Sequence, residues 1–171
     1  AYAIISYQTA FLKTYYPKEF FAASMTMDLS NQNKLGEFNE ELKRIKIKVI
    51  RPDINRCFAD FQFDEDNFYY ALGGIKSVGY EAISNVVKER KVNGNFKSIN
   101  DFLNRVNPQD INKLQLEGLV KAGAFDNINN NRQALFNSIP NFILKTKNIY
   151  ENKAANQIDL FETDDEQDNE I

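Results

Sequence analysis

Apolar residues recur at helical spacing through the first part of the chain. Ile4, Tyr7, Phe11 and Leu12 fall on one stripe, and the clash that proline imposes on its predecessor ends that helix before Pro17. Pro17 suits the first turn of a second helix, with Phe20, Phe21 and Met25 inward. A third helix from Lys34 to about Ile45 turns Leu35, Phe38 and Leu42 inward, with Ser30 or Asn31 as its cap. The aromatic residues of this unit are expected in its core. The period then shortens. Ile47, Val49 and Ile50 precede Arg51-Pro52-Asp53, and Phe61 and Phe63 alternate with polar neighbours before Asp64-Glu65-Asp66-Asn67. With Phe68, Tyr69, Tyr70 and Leu72 following, this predicts short strands and a turn-rich hairpin. The acidic cluster there reads as a solvated turn, because no further ligand accompanies it.

From Tyr80 the helical period returns. Ala82, Ile83, Val86 and Val87 form a stripe that stops before Asn93-Gly94. Ser98 with Asp101 caps a short helix carrying Phe102, Leu103 and Val106. Asn107-Pro108-Gln109-Asp110 signals the start of a helix with Ile111, Leu114, Leu119 and Val120 inward, stopping at Gly123. A last helix starts near Asn131, with Leu135, Phe136, Ile139, Phe142 and Ile143 inward, and Pro140 is expected to kink or split it.

Five of the seven glycines, at 73, 74, 79, 118 and 123, lie in or beside two small-residue turns. The first is Leu72-Gly73-Gly74-Ile75-Lys76-Ser77-Val78-Gly79, and the second is Leu119-Val120-Lys121-Ala122-Gly123-Ala124-Phe125. A small turn lets two helices approach and lets backbone N–H groups reach a phosphate. The pattern resembles a tandem helix-hairpin-helix module, which grips duplex DNA by its backbone with little sequence preference. The candidate DNA contacts are Gly73, Gly74, Lys76, Ser77, Val78 and Gly79 in the first turn, and Lys121, Ala122, Gly123 and Ala124 in the second. Ser77 stands where the general motif usually has its first glycine. Two ordinary glycine helix caps would give a similar pattern.

The net charge of −3 hides an asymmetry. Residues 1–70 carry 9 basic and 10 acidic groups, residues 71–153 carry 12 and 7, and residues 154–171 carry none and 7. The basic excess coincides with the two turns and favours a polyanion. The acidic end is expected to be disordered. With no His and one Cys (Cys57), a disulfide within the chain, a Cys/His zinc site and both Ser-His-Asp and Cys-His catalysis are excluded. No apolar run reaches membrane-spanning length, so no membrane partner is expected, and a reducing cytoplasmic setting fits. The chain begins Ala1-Tyr2-Ala3 inside a periodic segment, which reads as a piece of a larger protein.

Near the end, Gln157-Ile158-Asp159-Leu160-Phe161 places two large apolar residues in a polar linker. They suit a partner's pockets, although docking onto the chain's own core is the alternative. The pentapeptide resembles the bacterial sliding-clamp motif, which makes Gln157, Asp159, Leu160 and Phe161 candidate clamp contacts. Five stretches in order, Ala1–Phe20, Ile47–Asn55, Leu72–Ile83, Leu119–Asp126 and Gln157–Phe161, resemble the alpha (catalytic) subunit of bacterial replicative DNA polymerase III.

That resemblance implies a mainly α fold with a small β-hairpin. Residues 1–70 would end a fingers domain, 71–153 would be the tandem hairpin domain, and 154–171 would hold the clamp motif and acidic tail. It implies part of a DNA-directed DNA polymerase in a bacterial cytoplasm, associated with the nucleoid. The implied partners are duplex DNA, the sliding clamp (beta subunit) and other subunits of the polymerase holoenzyme. The family's two-metal chemistry uses Mg held by palm carboxylates upstream of this stretch, so no catalytic residue, metal ligand or cofactor is expected here, and the stretch alone should be inactive. A non-catalytic hairpin scaffold of a repair or recombination protein would also explain the two turns, but not the pentapeptide. An independent small enzyme lacks a convergent set of catalytic groups.

Overall fold

Seven helices and three two-residue strands make up the computed structural model, which describes the backbone of residues 2–165 and the side chains of residues 2–152. The helices are α1 (Tyr2–Tyr15), α2 (Pro17–Met27), α3 (Gln32–Arg44), α4 (Tyr80–Asn93), α5 (Ile99–Arg105), α6 (Lys113–Ala122) and α7 (Arg132–Asp165). The strands are β1 (Val49–Ile50), β2 (Gln62–Phe63) and β3 (Phe68–Tyr69), and a 3-10 turn covers Leu72–Gly74. The sheet order is β1-β3-β2. Strands β2 and β3 form the expected antiparallel hairpin, and β1 adds in parallel to β3. Asp64 shapes the hairpin turn. Its carboxylate accepts from the Tyr69 hydroxyl (2.5 Å) and from the amides of Asn67 (2.7 Å) and Asp66 (2.9 Å), which lowers its pKa to about 2. Both oxygens of this carboxylate are thus engaged within the turn.

Two apolar cores organise the chain. The first joins α2 and α3 to the sheet through Phe21, Met25, Leu35, Leu42, Phe61 and Phe68. The second gathers α4 to α7 around Ile83, Val86, Phe102, Leu119 and Ile139, and includes Ile54, Cys57 and Ala59 from the segment between β1 and β2. Burial pushes the Cys57 thiol up to about 11, so it stays protonated and packs as a small hydrophobe.

Helix α1 departs from expectation. It contributes nothing to either core, and Tyr2 (86% exposed) and Tyr7 (70% exposed) face solvent. Its apolar stripe is instead a ladder in which the Phe11 ring stacks at a tilt on Tyr15, 4.6 Å between centroids. Lys13 fastens the helix, pairing with Glu41 at 2.5 Å and lying over the Phe21 ring. Periodicity identifies an apolar face but not what covers it.

The start of α6 is a second correction. The Asn107 side chain accepts from the Gln109 amide (2.9 Å) and its carbonyl from the Asp110 amide (3.0 Å), which makes a single turn. The helix begins at Lys113, where Asn112 and Gln115 form a reciprocal capping box. Leu114, expected inward, is therefore 62% exposed, and Leu116 is buried in its place. Helix α7 runs unbroken through Pro140 rather than splitting, capped by Asn131, whose side chain accepts from the Ala134 amide. Its backbone continues as helix through residues 157–161. The side chains of the clamp pentapeptide, and residues 166–171 of the acidic tail altogether, lie outside the described residues.

The segment Arg51-Pro52-Asp53-Ile54-Asn55 is not strand beyond Ile50. It is a staple between the elements of the second core. Arg90 of α4, only 7% exposed, donates to the Ile54 carbonyl (2.6 Å) and the Cys57 carbonyl (2.7 Å). The Asn55 side chain pairs with both backbone groups of Phe96, each at 2.8 Å. Asp53, 6% exposed, accepts from the Asn55 amide (2.8 Å) and from the Asn127 side chain, and the Ile54 amide donates to the Ala124 carbonyl (2.8 Å). Arg90→Met keeps most of the volume but strands two buried carbonyls. A loss of about 3 kcal/mol in urea unfolding is expected. A midpoint equal to the wild type's would show that the staple does not hold the core.

Candidate nucleic-acid interface

The first glycine turn is built outward from the second core. Leu72, Ile75 and Val78 are buried and hold Lys76, Ser77 and Gly79 at the surface. The 3-10 turn Leu72–Gly74 leads directly into it. Ser77 has φ +71°, the left-handed conformation that a glycine would adopt without penalty. Serine therefore takes up the glycine geometry of the general motif. The turn closes with the Val78 amide donating to the Ile75 carbonyl (3.1 Å).

Among the described residues, the amides of Lys76, Ser77 and Gly79 find no acceptor in the chain, and no side chain caps α4. The first-turn amides of α4 lie just beyond, and helix geometry leaves them without intrahelical acceptors. A row of N–H groups at a helix N-terminus is complementary to a phosphate. Gly73 and Gly74 sit deeper. Their amides donate to the Ala59 carbonyl (2.9 Å) and the Ala71 carbonyl (3.1 Å).

The second turn differs in kind. Gly123 has φ +78° and ends α6 in a Schellman motif, with its own amide bound to the Val120 carbonyl and the Ala124 amide bound to the Leu119 carbonyl, both at 3.0 Å. These amides are internally paired, so side chains are the groups this turn presents. Lys121 is exposed, 3.5 Å from Glu117, with its ammonium 4.9 Å from the centre of the Phe136 ring. Ala122 is half-buried and Ala124 is buried.

Helix α6 brings the two turns together. A Cβ on Gly118 would lie 2.7 Å from the Lys76 carbonyl oxygen and 3.3 Å from the Val78 side chain, so only glycine permits the approach. The result is a surface groove of about 460 Å³ lined by Ile75, Lys76 and Ser77 on one side and Leu114, Glu117, Gly118, Lys121 and Ala122 on the other. Lys76 has no ion-pair partner among the described residues. Neither Gly118 nor Leu114 was among the sequence candidates. The clustering of five glycines around the two turns was the signal that could have found Gly118.

Among the described residues no group of three or more His, Cys, Asp and Glu side chains converges to hold a metal ion, and no helix is long and apolar enough to cross a membrane.

The helix-hairpin-helix motif family matches residues 46–135. The chain is 43% identical over 164 residues to the DNA polymerase III subunit alpha of Caulobacter vibrioides, covering 96% of this chain and 14% of that protein. It is 46% identical over 145 residues to the Campylobacter jejuni subunit of the same name, covering 82% and 12%. The Borreliella burgdorferi subunit is 40% identical over 161 residues, covering 94% and 14%. The chain thus spans about one-eighth to one-seventh of the length of these relatives.

Two substitutions test the geometry. Ser77→Gly relieves a left-handed serine and should raise stability by about 1 kcal/mol, read from thermal unfolding. Gly118→Ala forces a methyl against the Lys76 carbonyl and should cost about 1–3 kcal/mol. Neutral effects at both positions would mean that the turn is not held in this conformation.

Proposed function

The chain belongs to the helix-hairpin-helix family and is homologous to one stretch of DNA polymerase III alpha subunits, and from that premise we propose that it holds duplex DNA for a replicative polymerase and tethers the enzyme to a sliding clamp. The observation that carries the first half is the groove that brings Lys76 and the free amides of the first turn beside Lys121 of the second. Amides at the start of α4 and two lysines meet one negatively charged strand backbone. Neither group reads a base edge, so binding is independent of sequence and sensitive to salt. Gly73, Gly74, Val78, Gly123 and Ala124 act by shaping the turns, and Lys76, Ser77, Gly79 and Lys121 make the contacts.

The tether rests on Gln157, Asp159, Leu160 and Phe161, whose sequence resembles the clamp motif. A weak contact on the same chain raises the effective concentration of the enzyme at its primer end, which supplies processivity. The division into residues 1–70 with fingers character, 71–153 for duplex and 154–171 for the clamp follows this reading. So do DNA replication, a place in the cytoplasm at the nucleoid, and contacts with other holoenzyme subunits. The carboxylates that hold Mg in the whole enzyme lie outside this stretch, which alone has no polymerase activity.

Binding assays on the chain test both halves. Lys76→Glu should weaken binding to every duplex sequence and lower the slope of log affinity against log salt by about one unit. Phe161→Ala should cost about 2 kcal/mol of affinity for a bacterial sliding clamp, and Leu160→Ala with Phe161→Ala should abolish it. Duplex binding without clamp binding would favour the repair-type scaffold instead.

A further inference from the structure

Three arginines take no part in the groove described above. Arg51, Arg56 and Arg132 line a depression of about 240 Å³ beside Gly123. Ala122 lines both this depression and the groove that holds Lys76. A third cleft, of about 380 Å³, contains both Lys121 and Arg132. The three clefts therefore meet around the C-terminus of α6. Exposed cations line all three, with Lys76 and Lys121 in the groove, Lys121 and Arg132 in the third cleft, and Arg51, Arg56 and Arg132 in the depression, while Glu117 and Asp126 pair with Lys121 and Arg132.

The acids facing the depression are Asp53 and Asp126. Asp53 is buried and engaged by the Asn55 amide and the Asn127 side chain. Asp126 accepts two bonds from the Arg132 guanidinium, at 2.8 and 2.5 Å, which hold its carboxyl below the usual range. That fork fixes the Arg132 plane at the rim of the cleft. Arg51 is exposed and, among the described residues, its side chain has no ion-pair partner within 4 Å. A planar guanidinium with several donors matches phosphate oxygens.

We propose that this arginine cleft is a second phosphate site, which takes a backbone phosphodiester of the same duplex that the first turn holds. The proposal rests on the duplex-binding reading. It divides the labour between two chemistries: free amides with Lys76 at the first turn, and guanidinium forks at the second, where the backbone amides are already paired.

The test uses the intact chain and a fluorescent duplex, with affinity measured over a range of about 50–200 mM salt. Arg51→Gln with Arg56→Gln should weaken binding about tenfold at low salt and lower the salt slope by about 1–2 units, with the melting temperature unchanged. Arg51→Gln alone should lower the slope by about one unit, and Arg51→Lys should restore part of it. A merely structural role would lower the melting temperature and leave the slope intact, which would overturn the proposal. Wild-type affinity and slope in both glutamine variants, while Lys76→Glu still weakens binding, would overturn the arginine site and leave the duplex reading standing. Failure of the wild-type chain to bind any duplex would overturn both.

Discussion

The guanidinium of Arg90 lies in an apolar core and satisfies the carbonyls of Ile54 and Cys57, and through them it ties α4 to the segment between β1 and β2. A buried charge is tolerated only when its donors are matched, so this contact fixes the backbone of residues 54–57. From there the constraint spreads. Asn55 pairs with Phe96 just beyond the end of α4, and Ile54 and Asp53 reach Ala124 and Asn127 beyond α6. The Phe58 and Ala59 carbonyls, immediately after the staple, receive the amides of Leu72 and Gly73. The first turn is thus positioned from beneath by the same strip of chain that positions the second.

That arrangement explains why the two turns differ. The second is closed on α6 by its own carbonyls and is anchored to Ile54, which makes it a structural joint. The first lies on the buried side chains of Ile75 and Val78, and its outward amides remain unpaired among the described residues. Gly118 sets how closely α6 lies against it. A rigid platform with unsatisfied donors is preorganised for an anion, because no rearrangement precedes binding.

Much of this was legible before the fold was known, because local chemistry decides it. The Gly94 stop, the Ser98 cap and the Asn31 cap are short-range events, and the structure shows each of them. The first turn was legible too, although Ser77 had to supply a left-handed φ that composition does not advertise. The misreadings arise where two local signals compete or where the partner is distant. Asn107-Pro108 begins a turn that the stronger Asn112–Gln115 box supersedes. The role of the Arg51–Asn55 segment was not legible at all, because its partners lie some 35 to 75 positions away in the chain. Helix α1 has the right period for a core helix, yet none of its described residues is buried.

Backbone amide shifts of the isotope-labelled chain, followed by NMR as duplex DNA is added, test the central claim most directly. If the first turn is the amide grip, the largest changes fall on Lys76, Ser77, Gly79 and the first residues of α4, while the internally bonded amides of Gly123 and Ala124 move little. Equal changes at both turns, or changes that avoid residues 76–82, would contradict it.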